Sequence, residues 1–315
     1  MSWPGTHGGL PTGGTSVTNQ GPDRRSRIAA QRAATQRARR RNRLILAGGA
    51  IVAVIAVVVA IVLVQGNGSS GSSSGPTAPT GAELSQLVRQ VTSVPPATAD
   101  AVGAGQVTSP PTSITGTALT SGGKPEVLYI GAEYCPYCAA ERWAMIAALS
   151  RFGTFSGLAT THSAAKDGAG NAEPYPNTPT WTFAKASLAS AYLTFTPVET
   201  ETNIPDPATG GYTPLQTPTA AQQALLDKYD AANQGAIPFI DLGNKYLSVG
   251  ASYNPAVLSG LTWSQIAADM HNPATPVAKS VLGTANYLTA AICGLTGDQP
   301  ATACTPAMKA LRAKI

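Results

Sequence analysis

Histidine is nearly absent from this chain. Only His7, His162 and His271 occur in 315 residues, and no H-E-x-x-H pair is present, so a histidine-built metal centre has little to draw on. There is no P-loop and no G-x-S-x-G, which removes the usual phosphate cradle and the serine-hydrolase elbow. No repeat of solenoid type is visible. Acid is scarce at the start: Asp23 is the only carboxylate before residue 44. Base is scarce just afterwards: no Lys or Arg lies between Arg43 and Arg89. Cysteine is confined to Cys135, Cys138, Cys293 and Cys304.

What is present begins with Leu44 to Val64, twenty-one consecutive aliphatic, Ala or Gly residues without a charge. At about 1.5 Å per residue such a helix spans a hydrocarbon core of about 30 Å. Some forty residues precede it and no A-x-A cleavage pattern follows, so it reads as an uncleaved anchor in the lipid bilayer rather than a signal peptide. Nine Arg between Arg24 and Arg43, against Asp23 alone, place the N-terminus in the cytoplasm and the rest outside it.

The net charge of +5 and the pI of about 9.1 come from that arm. The remainder carries twelve Lys and Arg against fifteen acids. No nucleic-acid partner is therefore expected of the large domain, and the arm suits topology and anionic lipid head groups. The domain plan is a disordered Arg-rich tail (1–43), an anchor (44–64), a flexible Gly/Ser/Pro linker (65–82) and one extracytoplasmic domain (83–315).

Within that domain the patterning predicts a short helix over Glu83–Val91, a buried strand over Val127–Ile130 and a helix over Ala139–Leu149. Leu158–His162 is a candidate second strand. Trp181–Phe183 and Tyr192–Phe195 read as further strands, Asp167–Thr180 and Ile204–Pro218 as loops, and Thr219–Tyr229 as a helix capped by Thr219. Ile237–Leu242 and Lys245–Val249 form an expected hairpin about Gly243-Asn244. Helices follow over Thr262–Met270 and Pro276–Leu295.

The reactive candidate is Cys135-Pro136-Tyr137-Cys138, between the strand and the helix. Disulfide exchange needs a thiolate, and a helix N-terminus supplies free N–H groups and positive potential to favour one. Cys135 is the expected nucleophile. Cys138, one turn on, is the expected resolving thiol. Plainer readings compete: a zinc site using all four cysteines, a structural disulfide, or a binding fold without turnover. Cys293 and Cys304 flank a turn at a helix end and suit a structural staple, with an electron relay as the sharper alternative. His162 and Glu133 are weaker candidates near the dithiol. No cofactor and no resident metal are expected.

The run Val127-Leu128-Tyr129-Ile130 leading to Cys-Pro-Tyr-Cys resembles the active-site entry of the thioredoxin superfamily. Gly235-Ala236-Ile237-Pro238-Phe239 resembles its cis-proline segment. The resemblance implies an α/β, thioredoxin-like fold with an insertion between the CxxC helix and the cis-Pro strand, placed here between about Asp167 and Tyr229. It implies catalytic roles for Cys135, Cys138 and Pro238, with Pro136, Tyr137 and Ile237 facing substrate. Tyr129 occupies the position where thioredoxin has a buried acid. With the anchor and the tail Thr284-Ala285-Asn286-Tyr287-Leu288-Thr289-Ala290-Ala291-Ile292-Cys293, the chain is also similar to an uncharacterised family of membrane-anchored thioredoxin-like proteins. Expected partners are client proteins bearing thiols or disulfides and a membrane or soluble redox partner. The rival expectation is a redox-inactive thioredoxin-fold binding module tethered at the membrane.

Overall fold

The computed structural model describes residues 77–231 and 235–315. The Arg-rich arm and the apolar run Leu44–Val64 lie outside these. Among the described residues no helix is long and apolar enough to cross a membrane.

Helices α1 (Gly81–Thr92) and α2 (Pro96–Val102) come first, α1 starting just ahead of the expected domain boundary at Glu83. Short strands β1 (Thr112–Ser113) and β2 (Thr120–Ser121) lead into β3 (Lys124–Gly131) and helix α3 (Pro136–Leu149). The next stretch holds β4 (Thr154–Ser156), β5 (Ala159–His162), β6 (Pro179–Thr182), β7 (Ser187–Ala189), β8 (Thr194–Glu199), β9 (Glu201–Asp206) and β10 (Gly211–Pro214). Helix α4 (Ala220–Tyr229), strands β11 (Phe239–Leu242) and β12 (Tyr246–Val249), and helices α5 (Trp263–Asp269), α6 (Pro276–Leu295) and α7 (Pro306–Arg312) complete the chain. The fold is mixed α/β.

The main sheet is mixed and centres on β3. β11 pairs with it antiparallel from Phe239↔Ile130 to Leu242↔Val127, and β8 pairs with it parallel from Glu126↔Thr194 to Gly131↔Glu199. β12 and then β1 extend the β11 side. The β11–β12 turn uses Gly243 and Asn244, both at positive φ, a conformation open to Gly and tolerated by Asn.

Side chains alternate across β3. Val127 and Tyr129 belong to the large core with Trp143 of α3 and Val281 and Leu288 of α6. Leu128 and Ile130 pack on the other face with Val198, Phe239 and Leu226 of α4. Helix α3 is buried along its length except at Tyr137, with Glu141 and Arg142 buried among its apolar residues, so it is a core helix rather than an amphipathic surface one.

The expected strand at Leu158–His162 is present as Ala159–His162. It stays outside the main sheet, pairing with β6; the parallel partner of β3 is Thr194–Glu199. The structure corrects two other sequence expectations. The extra segment between α3 and β11 begins with strands at Thr154, earlier than Asp167. Ile204–Pro218, read as a loop from its Pro and Gly, contains most of a β9–β10 hairpin whose ladder shifts register between Tyr212 and Pro214. Two prolines fit there because the hairpin stands alone and needs few ladder donors.

Candidate active site at the dithiol

The loop from β3 to α3 is held by backbone hydrogen bonds on several sides. The Thr200 N–H donates to the Gly131 carbonyl at 2.7 Å, the Glu133 N–H to Glu201 at 2.9 Å and the Ala164 N–H to Tyr134 at 2.9 Å. The extra strands therefore grip the segment that delivers Cys135. Gly131 is required for a local reason: a Cβ there would overlap the Tyr129 phenol.

Cys135 is the N-cap of α3, and Pro136 occupies the first turn, where its missing N–H costs nothing. The Cys138 N–H donates to the Cys135 sulfur at 3.3 Å. That sulfur in turn faces the Ile237 carbonyl at 3.8 Å. The Ile237–Pro238 bond is cis, and the Ala236 N–H just before it donates to the Asp230 carboxylate. Residues 135, 138, 237 and 238, far apart in sequence, thus meet at one end of the main sheet. Both thiols are free, Cys135 4% exposed and Cys138 fully buried.

The two sulfurs differ electrostatically. Burial alone pushes the Cys135 thiol up, but hydrogen bonds from Cys138 and the charge of Arg142 outweigh it and leave its pKa below the ordinary thiol value. Burial, hydrogen bonding to Cys135 and the Cys135 charge hold Cys138 well above that value. The arrangement can therefore present one thiolate and keep the second thiol protonated.

Tyrosines lie on and beside the dithiol segment. Tyr137 is 41% exposed and meets Tyr175 edge-on at 6.2 Å. Tyr134 stacks on Tyr212 of β10 at 4.0 Å, and the Tyr212 hydroxyl donates to Glu173 at 2.8 Å. Pro136 is buried, whereas Tyr137 reaches solvent.

Beneath the dithiol lies a fully buried ion pair. Arg142 Nε donates to Glu199 Oε1 at 2.8 Å and Nη2 donates to Oε2 at 2.7 Å; Nη2 also donates to the Ala132 carbonyl at 2.6 Å. Tyr129 is buried beside it, with the guanidinium carbon 5.8 Å from the ring centroid. Sequence reasoning missed both Arg142 and Glu199. The one available signal was two charges inside otherwise apolar elements, at the middle of a core helix and the end of a buried strand.

Glu133 lies in the loop before Cys135, and His162 is held by its own surroundings. The His162 ring nitrogen lies 2.9 Å from the Ser163 carbonyl, and Asn203 donates to the His162 backbone. Cys293 and Cys304 are disulfide-bonded. Their bridge lies near the β11–β12 turn, where Leu295 crowds Gly243 and Tyr246 abuts Gly294. The dithiol sits at the opposite end of the same strands, so the structure brings the two cysteine pairs together at no point. Asp298 lies near this bridge but is paired with Lys309 and Arg312.

Residues 110–294 match the family described as a domain of unknown function, DUF929. The chain belongs to that family. No curated protein and no solved structure matches it.

Proposed function

We propose that this chain is a membrane-anchored thiol–disulfide oxidoreductase with a thioredoxin-like fold, acting on extracytoplasmic proteins through Cys135 and Cys138. One observation carries the reading. The Cys135 sulfur sits at a helix N-terminus, accepts the Cys138 N–H and faces the carbonyl that precedes cis-Pro238. The strand order β8-β3-β11-β12, with only β8 parallel to β3, is the order expected of a thioredoxin-like core.

In the reducing direction the Cys135 thiolate attacks a client disulfide. A Cys135–client bond forms and the other client sulfur leaves as a thiolate, taking up a proton. Cys138 then loses its proton and attacks Cys135, which releases the second client thiol and leaves a Cys135–Cys138 disulfide. Two electrons pass to the client. The reverse sequence oxidises a client dithiol, and a membrane or soluble dithiol/disulfide partner resets the pair. Residues 44–64 hold the domain at the bilayer, with the N-terminus cytoplasmic.

Burial of both sulfurs favours a second reading, a tethered binding module without turnover. Non-reducing gels of membrane fractions separate the two. Cys138→Ser should trap mixed disulfides with clients, because Cys135 attacks but is not released. Cys135→Ser should trap far fewer. Negligible trapping by both folded variants supports the binding module.

A further inference from the structure

Cys135, Cys138 and Arg142 fall at i, i+3 and i+7, one face of α3. An arginine this deep is costly unless paired, and replacing a buried ion pair with apolar side chains is often neutral or stabilising. Its pairing here is bidentate, through Nε and Nη2. Nη2 also holds the Ala132 carbonyl, which accepts the Cys135 N–H at 3.3 Å. One guanidinium therefore anchors both the sheet strand β8 and the loop that delivers the nucleophile. Nη1 has no hydrogen-bond partner among the described residues, and neither has the Tyr129 hydroxyl.

Tyr129 adds the complementary fact. Burial raises its phenol well above the ordinary tyrosine value, so it stays protonated and takes no proton from a thiol. The charge of Arg142, by contrast, acts on both sulfurs.

Resting on the oxidoreductase reading, we infer that Arg142 is a positioning residue for the dithiol: a buried cation, oriented by Glu199, that favours the thiolate on Cys135 during attack and on Cys138 during release. The proton leaving Cys138 goes to the departing client thiolate or to solvent, not to Arg142 or Tyr129. Glu199 tempers the cation, since its carboxylate neutralises part of the charge the sulfurs would otherwise feel.

The test is the pH profile of Cys135 alkylation in the full-length, membrane-extracted protein after mild reduction that leaves Cys293–Cys304 intact. Arg142→Met should move the midpoint up by about one pH unit, the scale of losing a near opposite charge. Arg142→Lys should restore part of that shift. Glu199→Gln, close to isosteric and able to keep one hydrogen bond to Arg142, should move the midpoint down. A merely structural role would not move the midpoint in opposite directions. If Arg142→Met fails to fold, the Glu199→Gln direction decides. A wild-type acid shift kept unchanged in the folded variants overturns the Arg142 role alone. A wild type with no acid-shifted thiol overturns the oxidoreductase reading with it.

Discussion

The Glu141 carboxylate is gripped at both oxygens by Ser252, whose backbone N–H lies 3.0 Å from Oε2 and whose hydroxyl lies 2.9 Å from Oε1. Glu141 is fully buried on the helix that carries the dithiol. Burial raises its pKa from 4.5 to about 7, against the opposing effect of the two Ser252 hydrogen bonds.

A pH dependence of stability follows. Between the two values the folded chain binds more protons at Glu141 than the unfolded chain does, so the Glu141 contribution to stability is fully present below about pH 4.5 and is lost as pH rises through 7. The loss is of order 3 kcal/mol. Asp241, raised to about 6 by burial, acts in the same direction. Glu141→Gln should flatten most of the decline in urea midpoints measured from pH 5 to 8. An unchanged slope would rule out Glu141 as its source.

Removing the Cys293–Cys304 bridge with paired Ala substitutions should lower stability by about 3 kcal/mol, the chain-entropy estimate for closing an 11-residue separation. The Cys135–Cys138 reduction potential should not move, because the bridge lies at the other end of the sheet. Denaturant curves and glutathione equilibration measure the two effects. A shift in potential would revive a relay between the pairs.

Tyr212→Ala should loosen the extra hairpin from the loop before Cys135, since the Tyr134 stack and the Glu173 hydrogen bond are both lost. We expect a stability cost of about 3 kcal/mol, since a buried aromatic ring and its hydrogen bond are both lost. Alkylation of Cys135 should become several-fold faster at a pH where the thiol is fully ionised. An unchanged rate would mean that this wall does not limit access.

The charge asymmetry around Leu44–Val64 makes a topological prediction. Protease added to intact protoplasts should digest residues 83–315. Digestion only after lysis would reverse the orientation.

The site's backbone was legible because it is local. The apolar run into Cys135, the proline at the first helical turn and the Gly-Asn turn after Phe239-Ile240-Asp241-Leu242 each carry their own signal. Helix α3 begins at Pro136, earlier than the Ala139 read from hydrophobic residues, because N-caps and first turns are not apolar. The Arg142–Glu199 pair was not legible: 57 residues separate its partners, and a charge on a helix ordinarily faces water. Glu141 hid for the same reason. The β9–β10 hairpin was masked by Pro205 and Pro214, which read as loop in a strand that pairs on one side only.

The indoles packed about α3 have a practical consequence. Trp143 lies on that helix, 5.4 Å from Trp181, and its Nε1 donates to the Pro179 carbonyl at 2.9 Å. Trp263 donates to Thr180 at 2.7 Å, and the Thr180 hydroxyl donates to the Ala139 carbonyl one residue after Cys138. Three of the chain's four tryptophans thus pack about the helix that carries the two free thiols. On the oxidoreductase reading, their ultraviolet emission should change as the full chain is titrated through a series of thiol buffers in a fluorimeter, a label-free optical record of the Cys135–Cys138 oxidation state.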